Sequence, residues 1–389
     1  MNDGNPTRAG RWWIVRDERA EHRDSPEFRF LSSWVESEVR AVAGEVRVAS
    51  TGDQRLSSRD GVGDDDLVLE WPDETLVLRS TLAALAAEIA GGAEAAAPES
   101  LSAIAPPAGE IVRTLAAFER LERDRLAAPA VELPAGDEPP LVLWRGDAWR
   151  RARSAATAGE PTLAAARRAG IRRARRGVAH RFADYYGQAR ADVLPLVPAG
   201  VGEVLEIGCG DGATGELLER RLGCRVTGVE LNPVVAARAA TRLTRVVPGD
   251  VLAVGIDGAY DLILALELFE HLTDQDAFLA KMRPLLRPGG HLLLSVPNVG
   301  HLSLVEDLLA GRFDYIPVGL LCFTHYRFFT RASLAAWFAR CGWPEPEIVD
   351  QGAALPERAE RWLAAAEAAG LEVDRESLAT TGFFVRARV

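Results

Sequence analysis

A glycine-rich turn next to an acidic residue is the first place in this sequence where the residue types and spacing indicate ligand binding. Gly208, Gly210 and Gly212 alternate within the stretch VLEIGCGDGATGELL, and Glu206 precedes the first of them. Glycine at such positions lets the backbone turn sharply and approach a ligand, where a Cβ would collide with it. The stretch therefore predicts a buried strand, a turn against which a cofactor lies, and the start of a helix.

Two cofactor classes fit this turn, because it also matches the dinucleotide fingerprint G-x-G-x-x-A. Glu230, which ends the next apolar run, suits a pair of ribose hydroxyls in either class. Glu206 favours a cationic amine, since a carboxylate at that position would repel a pyrophosphate. Asp250, which follows the third apolar run, is well placed for an adenine edge. These neighbours argue against a dinucleotide.

Two carboxylates and an imidazole follow the fourth apolar run as Glu267, Glu270 and His271, in the order E-x-x-E-H. On a helix these spacings share one face, so the three side chains are expected to converge. Their donor atoms suit Mg²⁺ or Mn²⁺, which would lower the pKa of an acceptor hydroxyl. The alternative is a pocket closed by Glu and His without a metal, with His271, His301 or His325 as the general base.

The elements that position these residues are predicted from the hydrophobic pattern, which alternates between strand and helix after Pro198. This pattern predicts a doubly wound parallel sheet. Its strands are expected near 203–207, 225–230, 244–247, 260–265 and 290–296, with a further edge strand at 382–388.

The preceding part of the chain predicts a small α/β domain over residues 1–145. Short apolar runs rich in Val, Ile and Trp predict its strands at 12–16, 45–49 and 66–70. Residues 94–109 and 128–140 are interpreted as Pro- and Ala-rich loops, and 110–127 as a charged helix.

Residues 146–180 are rich in arginine and show no strand pattern, so they predict a helical connector. The arginines form either a solvated linker face or a site for an anionic partner such as a nucleotide or an acidic glycan. The sequence does not decide between these two interpretations.

Composition excludes several classes of protein. The chain has 389 residues, of which 48% are hydrophobic and 26% charged, as in ordinary globular proteins. Its net charge of -11 would repel a phosphate backbone, which argues against nucleic acid as a partner. No stretch approaches the roughly 18 uncharged apolar residues of a membrane span. The N-terminus lacks the pattern of a signal peptide, so a cytoplasmic location is expected.

Residues 181–389 resemble the class I S-adenosylmethionine (SAM)-dependent methyltransferases. Five motifs occur in the order found in that family: ExGxGxG, an acid after strand two, GD after strand three, EHL after strand four and RPGG before strand five. The resemblance implies a Rossmann-like seven-stranded sheet, SAM as cofactor and methyl transfer as the activity. The same E-x-x-E-H pattern occurs in ubiquinone-pathway O-methyltransferases, where it helps to bind a divalent ion.

The resemblance also implies roles for individual residues around the cofactor. Glu206 and the glycine turn would hold the methionine part, Glu230 the ribose hydroxyls, and Asp250 with Val251 the adenine. Leu231 would pack on the adenine ring, and Tyr185 lies where a helix is expected to cover the sulfonium. The implied cofactor-binding set is Glu206, Gly208, Cys209, Gly210, Gly212, Glu230, Leu231, Asp250, Val251, Leu266 and Tyr185.

A closer resemblance involves the segments 180–198 and 295–334, which look like a bacterial methyltransferase subgroup associated with family 2 glycosyltransferases. This implies a sugar hydroxyl of a glycan precursor or glycosylated natural product as acceptor, bound under a cap segment at about 298–345. The subgroup usually reads D-R-T-H-L-R-F-F-T where this chain has C-F-T-H-Y-R-F-F-T at 322–330, so the acceptor is expected to differ.

Two other functions remain open at this stage. One is O-methylation of a phenol or another small metabolite, and the other is a non-catalytic SAM-fold scaffold for a glycosyltransferase. The N-terminal domain faintly resembles a degenerate family 2 glycosyltransferase, with Asp73 and Glu74 near the place of its metal-binding aspartates. We expect it to dock a glycosyltransferase partner or to form a homodimer, without transferase activity.

Overall fold

The chain divides into two units, Met1–Ala183 and Asp184–Val389, which are described separately. The computed structural model describes residues 10–17, 22–23, 25–51, 53, 56, 61–102, 114–132, 141–157, 160–182, 185–352 and 354–389. Within these residues, no helix combines the length and the apolar character that crossing a bilayer requires.

The first unit is a mixed sheet with helices packed against it. Its elements are β1 (Trp12–Asp17), α1 (Pro26–Ala43), β2 (Val46–Ser50), β3 (Leu67–Pro72), β4 (Thr75–Leu76), α2 (Arg79–Ala90), β5 (Ala95–Ser102), α3 (Leu115–Ala127), β6 (Val131–Glu132), β7 (Val142–Arg145), α4 (Gly146–Ala155), α5 (Thr162–Ala166) and β8 (Arg173–Arg181). The strand order is β2-β1-β3-β7-β5-β8-β4, and β6 pairs with β8.

Three predictions for the first unit are wrong, of which the smallest is the loop at 128–140, because it contains the short strand β6. The segment predicted as a loop at 94–109 contains β5, whose register shifts between Ala97 and Glu99, so Pro98 stands at an irregularity that tolerates a missing N–H donor. The predicted helical connector at 146–180 contains β8, which pairs with β5 because its second half, Val178 to His180, is buried. The strand was missed because its first half consists of half-buried arginines.

Several arginines of this region have carboxylate partners within the first unit. Arg151 pairs with Glu94 at 2.6 Å and Arg168 with Glu160 at 2.6 Å. These ion pairs favour the solvated-face interpretation over a site for an anionic partner, because each neutralises a charge that such a partner would use.

Asp73 and Glu74 are both buried at the end of β3. Asp73 lies 2.9 Å from Nδ1 of His22, and Glu74 lies 3.0 Å from Arg181. Each carboxylate therefore has a partner within the unit.

The second unit is an α/β fold with a seven-stranded mixed sheet, which confirms the predicted fold class. Its elements are β9 (Glu203–Ile207), α6 (Ala213–Leu222), β10 (Arg225–Glu230), α7 (Pro233–Ala239), β11 (Arg245–Pro248), β12 (Tyr260–Leu266), α8 (Gln275–Met282), β13 (Leu286–Pro297), α9 (Leu302–Leu309), α10 (Arg331–Arg340), β14 (Glu347–Gly352), α11 (Glu357–Ala368), α12 (Arg375–Ala379) and β15 (Thr380–Arg388). Short 3₁₀ turns lie at Ala191–Leu196, Phe269–His271 and Arg283–Leu285.

The strand order of this sheet is β11-β10-β9-β12-β13-β15-β14. The first five strands are parallel, and β15 runs antiparallel to both of its neighbours. The predicted edge position of the last strand is wrong, since β15 lies between β13 and β14. The edge strand β14 was not predicted, because its sequence EIVDQG has little apolar alternation and none of its residues is fully buried.

The topology determines where a ligand can bind. The chain runs outward from β9 to β11 on one side and resumes at β12 on the other side of β9. At such a reversal the loops that follow neighbouring strands diverge and leave a crevice at the carboxyl edge of the sheet. The glycine turn follows β9, Glu230 ends β10, and the E-x-x-E-H segment follows β12, so all of them lie at this edge.

Candidate functional site

The glycine turn, residues 208–212, takes a backbone conformation that side chains disfavour. Gly208, Gly210 and Gly212 have φ of 69°, 55° and 87°. A Cβ on Gly210 would lie 2.4 Å from the carbonyl oxygen of Tyr186, and the same oxygen accepts a hydrogen bond from the N–H of Asp211 at 2.9 Å. The segment before the sheet is therefore bonded to the turn and fixes its shape.

Glu206 reaches from β9 towards the first turn of α6, where a Cβ on Gly215 would lie 2.7 Å from its Oε2. The residue is 5% exposed, and Oε2 has no hydrogen-bond partner among the described residues. Burial raises its pKa to about 8; the Gly215 N–H opposes this, and the charges of Glu230 and Asp211 add to it. A buried carboxylate oxygen without a donor is costly, so Oε2 fits a ligand that brings one.

Glu230 at the end of β10 is buried beside the glycine turn. Its carboxylate accepts hydrogen bonds from the backbone N–H of Gly210 at 3.0 Å and of Asn232 at 2.8 Å. Burial raises its pKa above the ordinary value, and these backbone donors oppose the rise. Each carboxylate oxygen keeps a lone pair for a hydroxyl donor. Leu231 next to it is 70% exposed and offers an apolar surface for a ring.

The remaining predicted cofactor residues differ in their surroundings. Asp250 is exposed and its Oδ1 accepts from the N–H of Leu252 at 2.8 Å, while Val251 is buried in the core. Leu266 is half-buried in the core at the end of β12.

The Cys209 prediction is wrong for the side chain. A Cβ on Gly228 would lie 2.6 Å from its Sγ, so the thiol occupies the space that this glycine leaves in the core. Burial also raises the thiol pKa. Only the backbone of Cys209 is available to a ligand.

Tyr185 does not lie on a helix, contrary to the expected covering helix. Residues 185–187 form a turn, and the Tyr185 ring, 38% exposed, contacts the ring of Tyr186 edge to face with centroids 5.0 Å apart. The turn of the chain here is fixed by the hydrogen bond from Asp211 to Tyr186.

The E-x-x-E-H segment is not an α-helix, so the predicted convergence of its three side chains is wrong. Glu267 has a φ of 48°, and a 3₁₀ turn begins only at Phe269. The Glu267 carboxylate accepts from the hydroxyl of Ser295 at 2.7 Å and lies 3.7 Å from Arg190. Its carboxylate therefore has partners other than Glu270 and His271.

Glu270 is completely buried, and neither carboxylate oxygen has a hydrogen-bond partner among the residues that the structure describes. Burial raises its pKa well above the ordinary value, and the nearby Glu267 charge adds to this. The Glu270 carbonyl oxygen accepts from the N–H of Tyr326 at 2.9 Å, so the loop after residue 322 is bonded to this turn.

Two imidazoles complete the group. The rings of His271 and His325 lie edge to face with centroids 4.6 Å apart. One donor atom each from Glu270, His271 and His325 lies within 4.8 Å of the other two, and the described residues contain no other such group. We call this the Glu270 cluster. Burial, with the neighbouring His271, lowers the pKa of His325 to about 3, so this imidazole is neutral near pH 7.

His301 lies apart from the Glu270 cluster. Its Nδ1 accepts from the N–H of Ser303 at 3.2 Å and caps the N-terminus of α9. The structure thus gives His301 a capping role, whereas the sequence suggested a general base.

The glycine turn and the Glu270 cluster are neighbours. Leu268, between Glu267 and the 3₁₀ turn, approaches Gly208 so closely that a Cβ there would lie 3.3 Å from its Cδ1. A ligand on the glycine turn would therefore lie beside the segment that carries Glu270 and His271.

Comparisons with known proteins agree with this geometry. Residues 171–344 match the family model described as a methyltransferase domain. These residues carry a methyltransferase domain. A ubiquinone biosynthesis O-methyltransferase of Xanthomonas axonopodis pv. citri (strain 306) is 33% identical over 158 residues, which are 38% of this chain and 64% of that protein. The enzyme of the same name from Pseudomonas aeruginosa (strain UCBPP-PA14) is 28% identical over 159 residues, 38% of this chain and 66% of that protein.

This chain therefore spans slightly less than two thirds of the length of these curated relatives. Among solved structures, a SAM-dependent methyltransferase from Archaeoglobus fulgidus covers 51% of this chain and 92% of its own, at 19% identity and a TM-score of 0.39. The family model begins at residue 171, so the docking or dimerising role of residues 1–145 stays a prediction.

The methyltransferase domain fits its cofactor by the chemistry of its donors. The unpartnered Oε2 of Glu206 suits the ammonium group of SAM, and Glu230 suits its ribose hydroxyls. The exposed Leu231 suits the flat face of the adenine. Each of these features lies at the carboxyl edge of β9 or β10.

The Glu270 cluster also fits a metal ion, with a donor set that differs from the predicted one. Glu270 and His271 remain, but His325 takes the place expected for Glu267. Two imidazoles with one carboxylate favour a transition-metal ion such as Mn²⁺ over Mg²⁺, which prefers oxygen. Sequence spacing did not reveal the contact of His325, because that residue lies on a separate loop far along the chain.

Proposed function

We propose that this protein catalyses SAM-dependent O-methylation of a small molecule, with a divalent cation held by Glu270, His271 and His325. The observation that carries the proposal is the buried Glu270 carboxylate, which has no hydrogen-bond partner among the described residues and lies beside two imidazoles. An ionised carboxylate in such a place needs a compensating charge. A cation supplies that charge and gives the two imidazoles a common partner.

The cofactor half of the site would hold and align the methyl donor. Bound SAM would supply a methyl group, whose carbon an acceptor oxygen would attack in line with the C–S bond, so that S-adenosylhomocysteine is the leaving group. Glu206 would pair with its ammonium group and Glu230 with its ribose, while the fixed glycine turn sets the depth at which it lies. Alignment of this kind provides much of the rate enhancement in a two-substrate displacement.

The acceptor half would prepare the hydroxyl. Glu270, His271 and His325 would hold a divalent cation, which would lower the pKa of an acceptor hydroxyl. Glu270, His271 and His325 would fix the position of that hydroxyl beside the glycine turn. Their burial limits competing water, which strengthens the electrostatic interactions within the site.

A phenolic acceptor is favoured by the aromatic side chains next to the cluster. From His325 the ring centroids of Phe328, Phe313 and Tyr315 follow at successive spacings of 6.4, 6.0 and 5.5 Å. Phe313 and Tyr315 are 43% and 52% exposed, so the rings lead from the buried cluster to the surface. Flat aromatic molecules pack well on such edges and faces. The curated relatives are named as O-methyltransferases of ubiquinone biosynthesis, which supports an oxygen acceptor.

A sugar hydroxyl, expected from the segments that flank the glycine turn, has no comparable support in these contacts and stays a prediction. Sugar-binding sites combine aromatic faces with several polar groups. The ring series from Phe328 to Tyr315 contributes a single hydroxyl, that of Tyr315. The sugar and the phenol are therefore compared directly in the experiment.

The test is a methyl-transfer screen with full-length protein and isotopically labelled SAM. Catechols and other phenols form one panel, and monosaccharides and glycosides form another, each assayed after EDTA treatment and after addition of Mn²⁺. We expect transfer to a phenol that is lost with EDTA and restored by Mn²⁺. Transfer that is indifferent to EDTA would contradict the metal, transfer only to sugars would contradict the phenol, and SAM binding without transfer to any acceptor would favour the scaffold alternative.

A further inference from the structure

Glu267 holds a backbone conformation that residues with a Cβ rarely adopt. In the part of the chain that the structure describes, it is the one non-glycine residue with a positive φ, 48°. Such a conformation is disfavoured and persists where the surrounding contacts impose it, most often at binding and active sites. The contacts of Glu267 therefore bear on the function of its carboxylate.

Ser295 of β13 imposes this conformation. Its hydroxyl accepts the backbone N–H of Glu267 at 2.9 Å and donates its single proton to Oε1 of the same residue at 2.7 Å. The Ser295 carbonyl oxygen accepts the same N–H at 3.1 Å. Ser295 is completely buried, so water does not compete easily for these hydrogen bonds. The serine thus fixes both the backbone and the carboxylate of Glu267.

The second neighbour of Oε1 is the Arg190 guanidinium, at 3.7 Å. Arg190 is itself fixed, because its side chain pairs with Asp192 at 2.9 Å and its backbone N–H donates to the Thr214 hydroxyl at 3.1 Å. The contacts of the Glu267 carboxylate with Ser295 and Arg190 are both made by Oε1. The side chain is still 46% exposed, so Oε2 is open to a ligand and to water.

Glu267 lies between the two halves of the site. Ala265 of β12 pairs with Ile207 of β9, so Glu267, two residues further on, is level with the glycine turn. The Glu267 charge contributes to the raised pKa of Glu270, so the carboxylate is also close to the Glu270 cluster. An acceptor that reaches from the cluster towards a methyl donor on the turn would pass this carboxylate.

The proposed O-methylation releases the proton of the acceptor hydroxyl, and the Glu270 cluster gives that proton no route to water. Under that proposal His271 and His325 bind the cation, and Glu270 is completely buried. A general base must lie within reach of the hydroxyl that it deprotonates, and it must then lose the proton to water. Glu267, next to the cluster, combines a fixed position with an exposed oxygen.

We propose that Glu267 is a catalytic residue, the general base that takes the proton of the acceptor hydroxyl on Oε2. The O–H bond breaks, its electron pair remains on the acceptor oxygen, and a lone pair of that oxygen forms the new C–O bond. The C–S bond breaks with its electron pair on sulfur, which leaves neutral S-adenosylhomocysteine. Glu267 then releases the proton to water. This inference rests on the proposed O-methylation but not on the cation, because a carboxylate can deprotonate a hydroxyl with or without one.

The first measurement compares acceptors of different acidity with full-length protein and labelled SAM at one mildly alkaline pH. The probes are catechol and phenol, each paired with its 4-nitro derivative, whose hydroxyl ionises far more readily. Glu267→Gln keeps the shape and the contact with Ser295 but cannot take a proton, so kcat for the unsubstituted probe should fall by about 100-fold. For the nitro derivative the fall should be less than about tenfold, because a hydroxyl that is already ionised needs no base.

The second measurement distinguishes loss of the base from loss of the site. Glu267→Asp keeps a carboxylate at a residue type that tolerates positive φ, so it should recover part of the rate that Glu267→Gln loses. Calorimetry should show that Glu267→Gln binds S-adenosylhomocysteine and Mn²⁺ as the wild type does. Glu345→Gln is the matched control and should leave every rate unchanged, because this exposed glutamate precedes β14 at the opposite edge of the sheet.

The outcomes separate this inference from the proposed function. Equal loss with both members of a pair, unchanged rates in Glu267→Gln, or weaker binding of S-adenosylhomocysteine by that variant would overturn the base while O-methylation stands. Transfer that ignores EDTA but still depends on acceptor acidity through Glu267 would remove the cation and support the base. Failure of the wild type to methylate any of the phenols would overturn the base together with the phenolic function. Circular dichroism of each variant establishes that a lower rate does not come from unfolding.

Discussion

The glycine turn and the Glu270 cluster lie next to each other at one edge of the sheet, but very different lengths of chain specify them. The turn, with Glu206 ahead of it, occupies a few consecutive residues between β9 and α6. The cluster joins a 3₁₀ turn after β12 to a loop that precedes α10. In the turn, consecutive residues fix the backbone conformation. In the cluster, the side chains come together only through tertiary contacts between distant segments.

The comparison has a functional consequence. A ligand on the turn would meet backbone groups and the two carboxylates of Glu206 and Glu230, which β9 and β10 carry. An acceptor at the cluster would meet side chains whose positions depend on the loop at residues 316–325. We therefore expect substitutions at the glycine turn to weaken cofactor binding. Substitutions at the Glu270 cluster should instead weaken metal binding and slow turnover.

The largest expected effect is that of Glu270→Gln, which removes the charge and preserves the shape. Metal catalysis contributes several kcal/mol, so kcat/KM should fall by about 100-fold or more. Mn²⁺ affinity should fall in parallel, while the affinity for S-adenosylhomocysteine stays within about twofold because Glu270 does not contact the glycine turn. Calorimetry with each ligand and a rate assay measure the three quantities.

Glu267→Gln is the matched control for this prediction. The sequence pattern places Glu267 among the metal ligands, whereas the structure bonds it to Ser295. Mn²⁺ affinity should therefore survive in Glu267→Gln. Equal loss of Mn²⁺ binding in both variants would restore the helical E-x-x-E-H interpretation and contradict the cluster.

A smaller effect is expected from the protonation of Glu206, whose pKa is raised to about 8 from an ordinary 4.5. An acid with a raised pKa in the folded state binds more protons when folded than when unfolded in the window between these values. The free energy of unfolding of the cofactor-free protein should therefore fall as pH rises from about 4.5 to about 8, and Glu206→Gln should remove this part of the slope.

Cofactor binding should respond in the opposite sense. The ammonium group of S-adenosylhomocysteine pairs with the ionised carboxylate, so its affinity should fall by up to about tenfold per pH unit below the Glu206 pKa. Calorimetry in buffers of different ionisation enthalpy should show proton release on binding near pH 7. An affinity that is flat across this range would mean that Glu206 is already ionised and that its role at the ammonium group is misassigned.

The same contrast explains which strands and which site residues could be predicted from the sequence. The strands β9, β10 and β12 were located to within a residue, because a buried parallel strand between glycine turns has a strong local pattern. Glu206, Glu230 and the glycines were predicted for the same reason. The Glu270 cluster was predicted only in part, since residue types at helical spacing do not guarantee a helix.

Backbone strain and long-range contacts account for the features that the sequence did not predict. The positive φ of Glu267 turns the chain before the 3₁₀ turn, so the segment is not the continuous helix that the E-x-x-E-H spacing suggests. His325 was recognised as a chemically useful histidine, but its contact with Glu270 follows from the hydrogen bond between Tyr326 and the Glu270 carbonyl oxygen. In the first unit, β8 was missed because its arginines lack an apolar pattern while the sheet still pairs their backbone.

The smallest expected effect tests whether the glycines of residues 208–212 determine the conformation of the turn. Gly210→Ala places a side chain at φ 55° and directs it at the Tyr186 carbonyl oxygen, whereas Gly223→Ala, at φ 69°, meets nothing within 4 Å. Both substitutions carry the cost of a left-handed residue, about 1–2 kcal/mol in the free energy of unfolding. Only Gly210→Ala adds a collision with backbone, so it should unfold at lower denaturant than Gly223→Ala and bind S-adenosylhomocysteine more weakly. Equal stability and equal affinity in the two variants would mean that the contact with Tyr186 relaxes without cost. The shape of the turn would then depend on tertiary contacts as much as the cluster does, and the contrast between the two halves would disappear.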